Sequence, residues 1–276
     1  MDSNNSSSPL SRLIPILIFV AGLIGLYYLY MYLFGPKTNN SYTLISKKQD
    51  ANIDPVKPIV ITSDRLPKLF EGGEFTIMTW IYINNWSYRS GFNKHIISIG
   101  GPNFDTIRIY LGAMKPKLSV RLHTRETSIP TSGNASSTTE SLDKVSFTST
   151  FQNLQTDSGL LDDTPICDLP EVELQRWICL VVAVNGKTVD VYMDGKLSRS
   201  CVLPNNFKVD AGGYSANVLA SGGFGGKISG SYMYDRALNP DVVYKNYMAG
   251  PEPILTFSDW VSTFFAPGVS ISVTTK

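Results

Sequence analysis

Cleaving a glycosidic bond takes two or three carboxylates on one face of one strand, so that an acid and a nucleophile flank the scissile bond. The chain holds no such run. Its nearest grouping, Glu171 and Glu173 beside Pro170, is short of a catalytic trio and reads as a solvated strand edge. The two histidines, His95 and His123, stand far apart in sequence, and no serine or cysteine occupies a GxSxG context. Cys167, Cys179 and Cys201 form no CxxC pair and, with only two histidines, supply no ligand set at zinc spacing. They are one pair plus a free thiol outside the cytosol, or three reduced thiols inside it. The residue types point away from hydrolytic catalysis and towards binding.

Two aromatic groupings are candidates for that binding. The loop NNWSYRSGFN offers Trp86, Tyr88, Phe92 and Asn93, rings with neighbouring amides of the kind that hold a sugar. Such a loop also serves to fold back over the core or to dock on another protein. In the tail TFSDWVSTFF, residues Phe257, Trp260, Val261, Phe264 and Phe265 recur at i, i+3, i+4, i+7 and i+8, giving one apolar helical face between Pro253 and Pro267. That face needs a cover: its own domain, a partner's groove or a membrane surface. With no Lys or Arg on its polar side, a protein partner fits better than a bilayer. The run GVSISVTT that follows alternates like a strand suited to an exposed sheet edge.

These groups need elements to carry them. Residues Leu13 to Phe34, LIPILIFVAGLIGLYYLYMYLF, contain no charge and reach roughly 33 Å as a helix, enough to cross a hydrocarbon core. Tyr27, Tyr28, Tyr30 and Tyr32 crowd the C-terminal end, where phenols sit well among headgroups. The run is too long for a signal-peptide core and no small-x-small cleavage site follows it, so a retained anchor is expected. Residues 1–12 are Ser- and Asn-rich and read as disordered. Residues 35–69, with Pro36, Pro55, Pro58 and Pro67, read as an extended spacer.

From Phe75 onward the pattern turns to short alternating runs: FTIMTWIYI, HIISIG, TIRIYLG and KLSVRLHT, separated by Gly, Pro and Asn. Residues 125–170 break that rhythm and read as an insertion on the rim. The rhythm returns in RWICLVVAV, KTVDVYM and KLSRSCV, joined by Asn185-Gly186 and Asp194-Gly195, a three-strand meander. Asn239-Pro240, DVVYKNYMA and Gly250 predict a short helix with a side-chain cap at its start and glycine past its end.

Charge is nearly balanced, at a formal +1, and no basic stripe is present to neutralise a phosphate backbone. Nucleic acid is excluded as an expected partner. Lys37, Lys47 and Lys48 outweigh Arg12 across the apolar run, which favours a cytosol-facing head. Sequons at Asn39, Asn85 and Asn134 would matter in the secretory lumen, but their number is what an Asn- and Ser-rich chain carries by chance.

FTIMTWI (Phe75 to Ile81), Arg176-Trp177, VYMDGK (Val191 to Lys196) and GFGGKISGSYMYDRALNP (Gly223 to Pro240), in this order, resemble the strands of the laminin-G-like or concanavalin A-like jelly-roll family. The resemblance covers about residues 70–250 and implies an all-β, antiparallel two-sheet sandwich, which follows the one transmembrane helix and precedes residues 251–276, read as a docking tail. Trp80 and Trp177 are expected to bury their rings between the sheets. Members of this family often hold a calcium ion at a loop rim, but Lys227-Ile228-Ser229-Gly230 departs from the acidic closing pattern; Asp157, Asp162, Asp163 and Asp168 are the remaining oxygens, and no cofactor is expected.

The fold hosts lectins, hydrolases and structural modules alike. The expected role is a non-enzymatic module tethering a bilayer to a protein assembly, similar to minor structural proteins of large icosahedral DNA viruses that lie between inner membrane and shell. The alternative is a cell-surface lectin or adhesion protein with carbohydrate as its partner.

Overall fold

A computed structural model describes residues 9–34, 41–124, 144–155 and 167–251. The chain divides into two units between Asn40 and Ser41. The first contains α1, Pro9–Phe34, a helix of 26 residues that begins ahead of Leu13 and is about 39 Å long at 1.5 Å per residue. Its described side chains run unbroken only from Leu17 to Tyr30. Counted over described residues, no helix is long and apolar enough to cross a membrane. Tyr27, Tyr28 and Tyr30 are exposed, while Leu13, Tyr32 and Phe34 lie in the helix with side chains outside the described residues.

The second unit is a sandwich of two antiparallel sheets. Its strands are β1 (Ser41–Ile45), β2 (Gln49–Asp50), β3 (Ile59–Ile61), β4 (Glu74–Ile83), β5 (Lys94–Gly100), β6 (Asp105–Leu111), β7 (Leu118–Leu122), β8 (Trp177–Asn185), β9 (Thr188–Met193), β10 (Lys196–Val202), β11 (Ser215–Val218) and β12 (Gly226–Tyr234). One sheet runs β1-β12-β4-β8-β9-β10, with β2 also on β12; the other runs β3-β11-β5-β6-β7. Helix α2 (Lys144–Gln152) follows β7 in sequence, and α3 (Pro240–Ala249) follows β12.

The expected spacer over 35–69 is corrected here. Ser41 to Ile45 pairs with Tyr234 to Ser231, and Ile59 to Ile61 pairs with Val218 to Ala216, so this stretch supplies an edge strand to each sheet. Pro55, Pro58 and Pro67 fall between the strands rather than in them, which keeps the ladder donors intact. The sandwich therefore starts at Ser41, not near residue 70. Within the insertion read over 125–170, residues 144–152 form α2.

Strand parity decides the core. Along β4, Phe75, Ile77, Ile81 and Ile83 join the inter-sheet cluster, as do Ile178, Leu180, Val182 and Val184 of β8. The opposite parity, Met78, Trp80, Cys179, Val181 and Ala183, forms a second cluster with Tyr192, Tyr234, Leu238 and Val243. Trp80 is thus not between the sheets: its ring stacks on Tyr247 of α3 at 5.7 Å. Trp177 is half-buried against the same cluster and 5.6 Å from Tyr82. With seven buried hydrophobic residues on that face, joined by Leu238 and by Val243 of α3, the helix covers a core of its own.

The turns show one agreement and two differences. Asp194 and Gly195 take φ of 52° and 75° between paired Met193 and Lys196, the double positive φ of a type I′ hairpin. At the previous hairpin Asn185 pairs with Thr188, so the loop is Gly186-Lys187, with Gly186 at φ 58°. Asn239 precedes α3 without a side-chain cap bond; its carbonyl accepts from the N–H groups of Val242 and Val243 instead.

Candidate functional site

The face of the five-stranded sheet turned away from the core is polar. Because Ile97, Ile99, Ile107, Ile109, Leu118 and Val120 face inward, Ser98, Thr106, Arg108, Tyr110, Ser119 and Arg121 face outward. All but Arg121 are buried, since α2 lies on this face. Phe151 meets His95 at 5.1 Å and Tyr110 at 5.2 Å, Phe147 sits 5.0 Å from the Arg108 guanidinium, and Lys144 Nζ reaches Asp105 at 2.7 Å. Asp105 also accepts from Arg108 Nε at 2.7 Å, and neither side chain is exposed by more than 1 %.

His95 is a further buried titratable group of this face. Its Nδ1 accepts from the Ala220 N–H at 3.1 Å, so the neutral ring carries its proton on Nε2. Burial, with the nearby Arg108 charge adding, pushes its pKa down to about 3. A folded-state pKa below the unfolded value means the unfolded chain binds the extra proton between pH 6.5 and 3, so stability falls as pH falls through that window. The expected loss is roughly 1.4 kcal/mol per pH unit there. Urea titrations at pH 7, 6 and 5 on wild type and His95→Gln check it: the variant should show the shallower slope, and equal slopes would remove His95 as the cause.

A second polar cluster closes the open side of the sandwich. Asp168 is fully buried and receives Arg121, Lys117 Nζ at 2.7 Å, Ser119 Oγ at 3.3 Å and the Val120 N–H at 3.2 Å. Its own carbonyl accepts from Arg199 at 2.7 Å, and Leu169 exchanges two backbone bonds with Leu118. Cys167 is bonded to Cys201. Residues 167–169 therefore tie β7, the last strand of one sheet, to β10, the last strand of the other. Asp168 has no oxygen left to offer calcium; Asp157, Asp162 and Asp163 lie outside the described residues. Among the described residues no group of three His, Cys, Asp or Glu could hold a metal.

The disulfide leaves Cys179 as a buried free thiol, its pKa pushed up to about 12 by burial with Asp194's charge adding. That environment makes it inert. Closing a loop whose ends are 34 positions apart in sequence is worth about 2–4 kcal/mol. Cys201→Ser should lower the melting free energy by that amount, and reductant should then have no further effect; a reductant-sensitive variant would contradict the pairing.

The Trp86 loop folds onto the domain. Trp86 is half-buried, donates from Nε1 to the Met114 carbonyl at 3.1 Å, and carries Lys94 Nζ 4.2 Å from its ring centre. Lys94 is buried and donates to the Ala113 carbonyl at 3.2 Å; burial, with Arg89 adding, lowers its pKa to about 8. Tyr88 donates to Gly222, Asn93 to Thr150, and Phe92 lies under Arg89. The structure thus ties Trp86, Tyr88 and Asn93 back onto the domain, through Met114 and Lys94, Gly222 and α2 in turn. The docking-tail residues Phe257, Trp260, Val261, Phe264 and Phe265 lie outside the described residues.

Sequence reasoning missed the α2-covered face. The outward parity of β5 to β7 is polar, which is also the pattern of a solvated sheet face, and only burial of those residues reveals the cover. Glu171 is exposed, and Glu173 is spent on Arg176, which also meets Asp194 at 2.6 Å.

No family model and no curated protein matches the chain. Among solved structures it is similar to the ligand-binding domain of botulinum neurotoxin serotype D in complex with N-acetylneuraminic acid, at 13% identity and a TM-score of 0.44, over 77% of this chain and 43% of that one. The binding domain of Paraclostridial Mosquitocidal Protein 1 gives 15% and 0.42, over 78% and 48%. Trypanosoma rangeli sialidase gives 13% and 0.36, over 64% and 23%. The chain spans less than half the length of each, and likeness this faint leaves its function to its own residues.

Proposed function

We propose that the chain is a non-enzymatic, single-span membrane protein whose sandwich grips another component of an assembly and so holds it to a bilayer. One observation carries the anchor: Leu17, Ile18, Phe19, Val20, Leu23, Ile24 and Leu26 are all exposed, and they surround α1 on every side. A helix apolar all round needs an apolar surrounding, whereas one that docks on a protein keeps a polar face. The concanavalin A-like assignment belongs to the same proposal, and the motif strings fall in order on β4, β8, β9–β10 and β12. A tether of this build suits the minor structural proteins of icosahedral DNA-virus particles.

The sheltered disulfide favours a second reading for the head's location. Cys167–Cys201 is at home in an oxidising compartment, so it opposes the lysine count and supports a lumenal or extracellular head, with carbohydrate as partner. Extraction of host membranes with alkaline carbonate tests the anchor: the full chain should stay in the pellet and a chain lacking residues 1–36 should not. Glycosidase treatment tests the side, since the sequon at exposed Asn85 is processed only in the lumen. A gel shift supports the second reading, and no shift supports a cytosolic or virion-interior head.

A further inference from the structure

Helix α2 is a poor helix by its own sequence. KVSFTSTFQ is nine residues, mostly β-branched, serine and aromatic, short of the length and propensity that hold an isolated helix in water. It exists because it lies on the sheet, so detaching it and melting it are one event. Its hold is aromatic and polar together. Phe151 is fully buried against His95 and Tyr110, Lys144 meets Asp105 at 2.7 Å, and the carbonyls of Thr150 and Phe151 accept from Asn93 at 3.0 Å and Arg89 at 2.7 Å.

The face it covers works against that hold. His95 Nε2, Ser98 Oγ and Thr106 Oγ1 are buried on it without a hydrogen-bond partner, and water would satisfy each of them once α2 lifted. Burying the phenyl rings and hydrating three orphaned polar groups pull in opposite directions. This interface is therefore where the domain opens locally before it unfolds as a whole.

His95 gives the opening a direction with pH. Under α2 its Nδ1 accepts from the Ala220 N–H at 3.1 Å, and a second proton has to go onto that same nitrogen, setting two donors against each other. The surroundings offer the imidazolium no compensation. Tyr110 lies across from it on β6, Arg108 stands two residues further along that strand, Asp105 is engaged by Arg108 and by Lys144 of α2, Lys94 precedes it on β5, and the turn Ala220–Gly222 brings no titratable group. Burial, with the Arg108 charge adding, holds the covered ring's pKa at about 3, against about 6.5 for a hydrated imidazole. The open form binds the extra proton between those values, so acid favours it.

We propose that α2 is an acid-released cover: seated on the five-stranded sheet at neutral pH, it lifts as His95 takes up a proton and lets go of Asn93 and Arg89 in the Trp86 loop. The device stands apart from the anchor and needs no particular partner, so it holds or fails independently of the tether.

Hydrogen exchange of the full-length protein in detergent, read by mass spectrometry at pH 7 and pH 5 and referred to the free-peptide rate at each pH, tests it. Amides of Thr148 to Gln152 should be about tenfold or more less protected than those of β4 and β8 at pH 7, because they exchange through the local opening. Their protection should fall about twentyfold by pH 5 and stay level in His95→Gln. Ser98→Ala with Thr106→Val should raise it about fivefold or more, since the lost hydroxyls no longer gain water on opening. Protection of α2 equal to that of β4 and β8 would overturn the proposal, as would no fall between pH 7 and pH 5. An undiminished fall in folded His95→Gln, or a folded double variant with α2 protected no better than wild type, would do the same. If neither variant folds, the wild-type comparison of α2 with β4 and β8 at the two pH values decides alone.

Discussion

Asp168→Ala is expected to cost the sandwich about 3–5 kcal/mol, the penalty for removing one partner of a buried ion pair and leaving the other uncompensated. The carboxylate is fully buried and both its cations are nearly so, with Lys117 and Arg121 side chains 11% and 12% exposed. Losing it also strips a partner from the Val120 N–H and Ser119 Oγ. The position amplifies the loss, since Asp168 sits between Cys167 and Leu169 in the segment that joins the two terminal strands. For a domain of this size the drop corresponds to roughly 6–20 °C in melting temperature. Urea unfolding should show a lower midpoint at unchanged slope. Asp168→Leu combined with Lys117→Met and Arg121→Met should regain most of the loss, because apolar residues of similar volume replace a buried ion cluster at little cost. A single variant within 0.5 kcal/mol of wild type would show that the cluster is solvated and the clasp idle.

The second large effect concerns α1. Leu23→Arg together with Ile24→Arg places two guanidinium groups at mid-helix, each costing about 2.5–3.5 kcal/mol in a bilayer-inserted helix. The sum, roughly 5–7 kcal/mol, shifts insertion by about four orders of magnitude. The variant should leave the carbonate pellet and appear in the supernatant, while Leu23→Val with Ile24→Val stays with the membrane. Head stability should be unchanged in both, since among the described residues every strand begins at or after Ser41, in the second unit. A double-arginine chain that still pellets would mean that α1 is not what holds it there.

Much of this architecture is legible in local pattern. Alternation marked β4 to β10, since side chains on a strand face opposite ways and a half-buried sheet writes that period into the sequence. The Asp194-Gly195 hairpin and the helix after Pro240 were legible for the same local reason: backbone dihedrals restrict which residues stand there. The edge strands β1 and β3 were not, because an edge strand is short and is defined by a partner more than 150 residues away, as Ile61 is by Ala216 and Tyr42 by Met233. Nor was α2, whose sequence KVSFTSTFQ carries few helix formers and is held by what it covers.

By itself the sequence determined an uncharged apolar segment, a head built mostly of β-strands and a near-neutral charge, all properties of residue type and near-neighbour spacing. Only the tertiary structure decided that Trp80 faces α3 instead of the opposing sheet, because period-two alternation names two faces without saying which is inward. It alone paired Cys167 with Cys201 and left Cys179 free, and turned the Trp86 loop down onto Lys94. Those outcomes depend on which strands become neighbours, and that is set by burial summed over the whole domain.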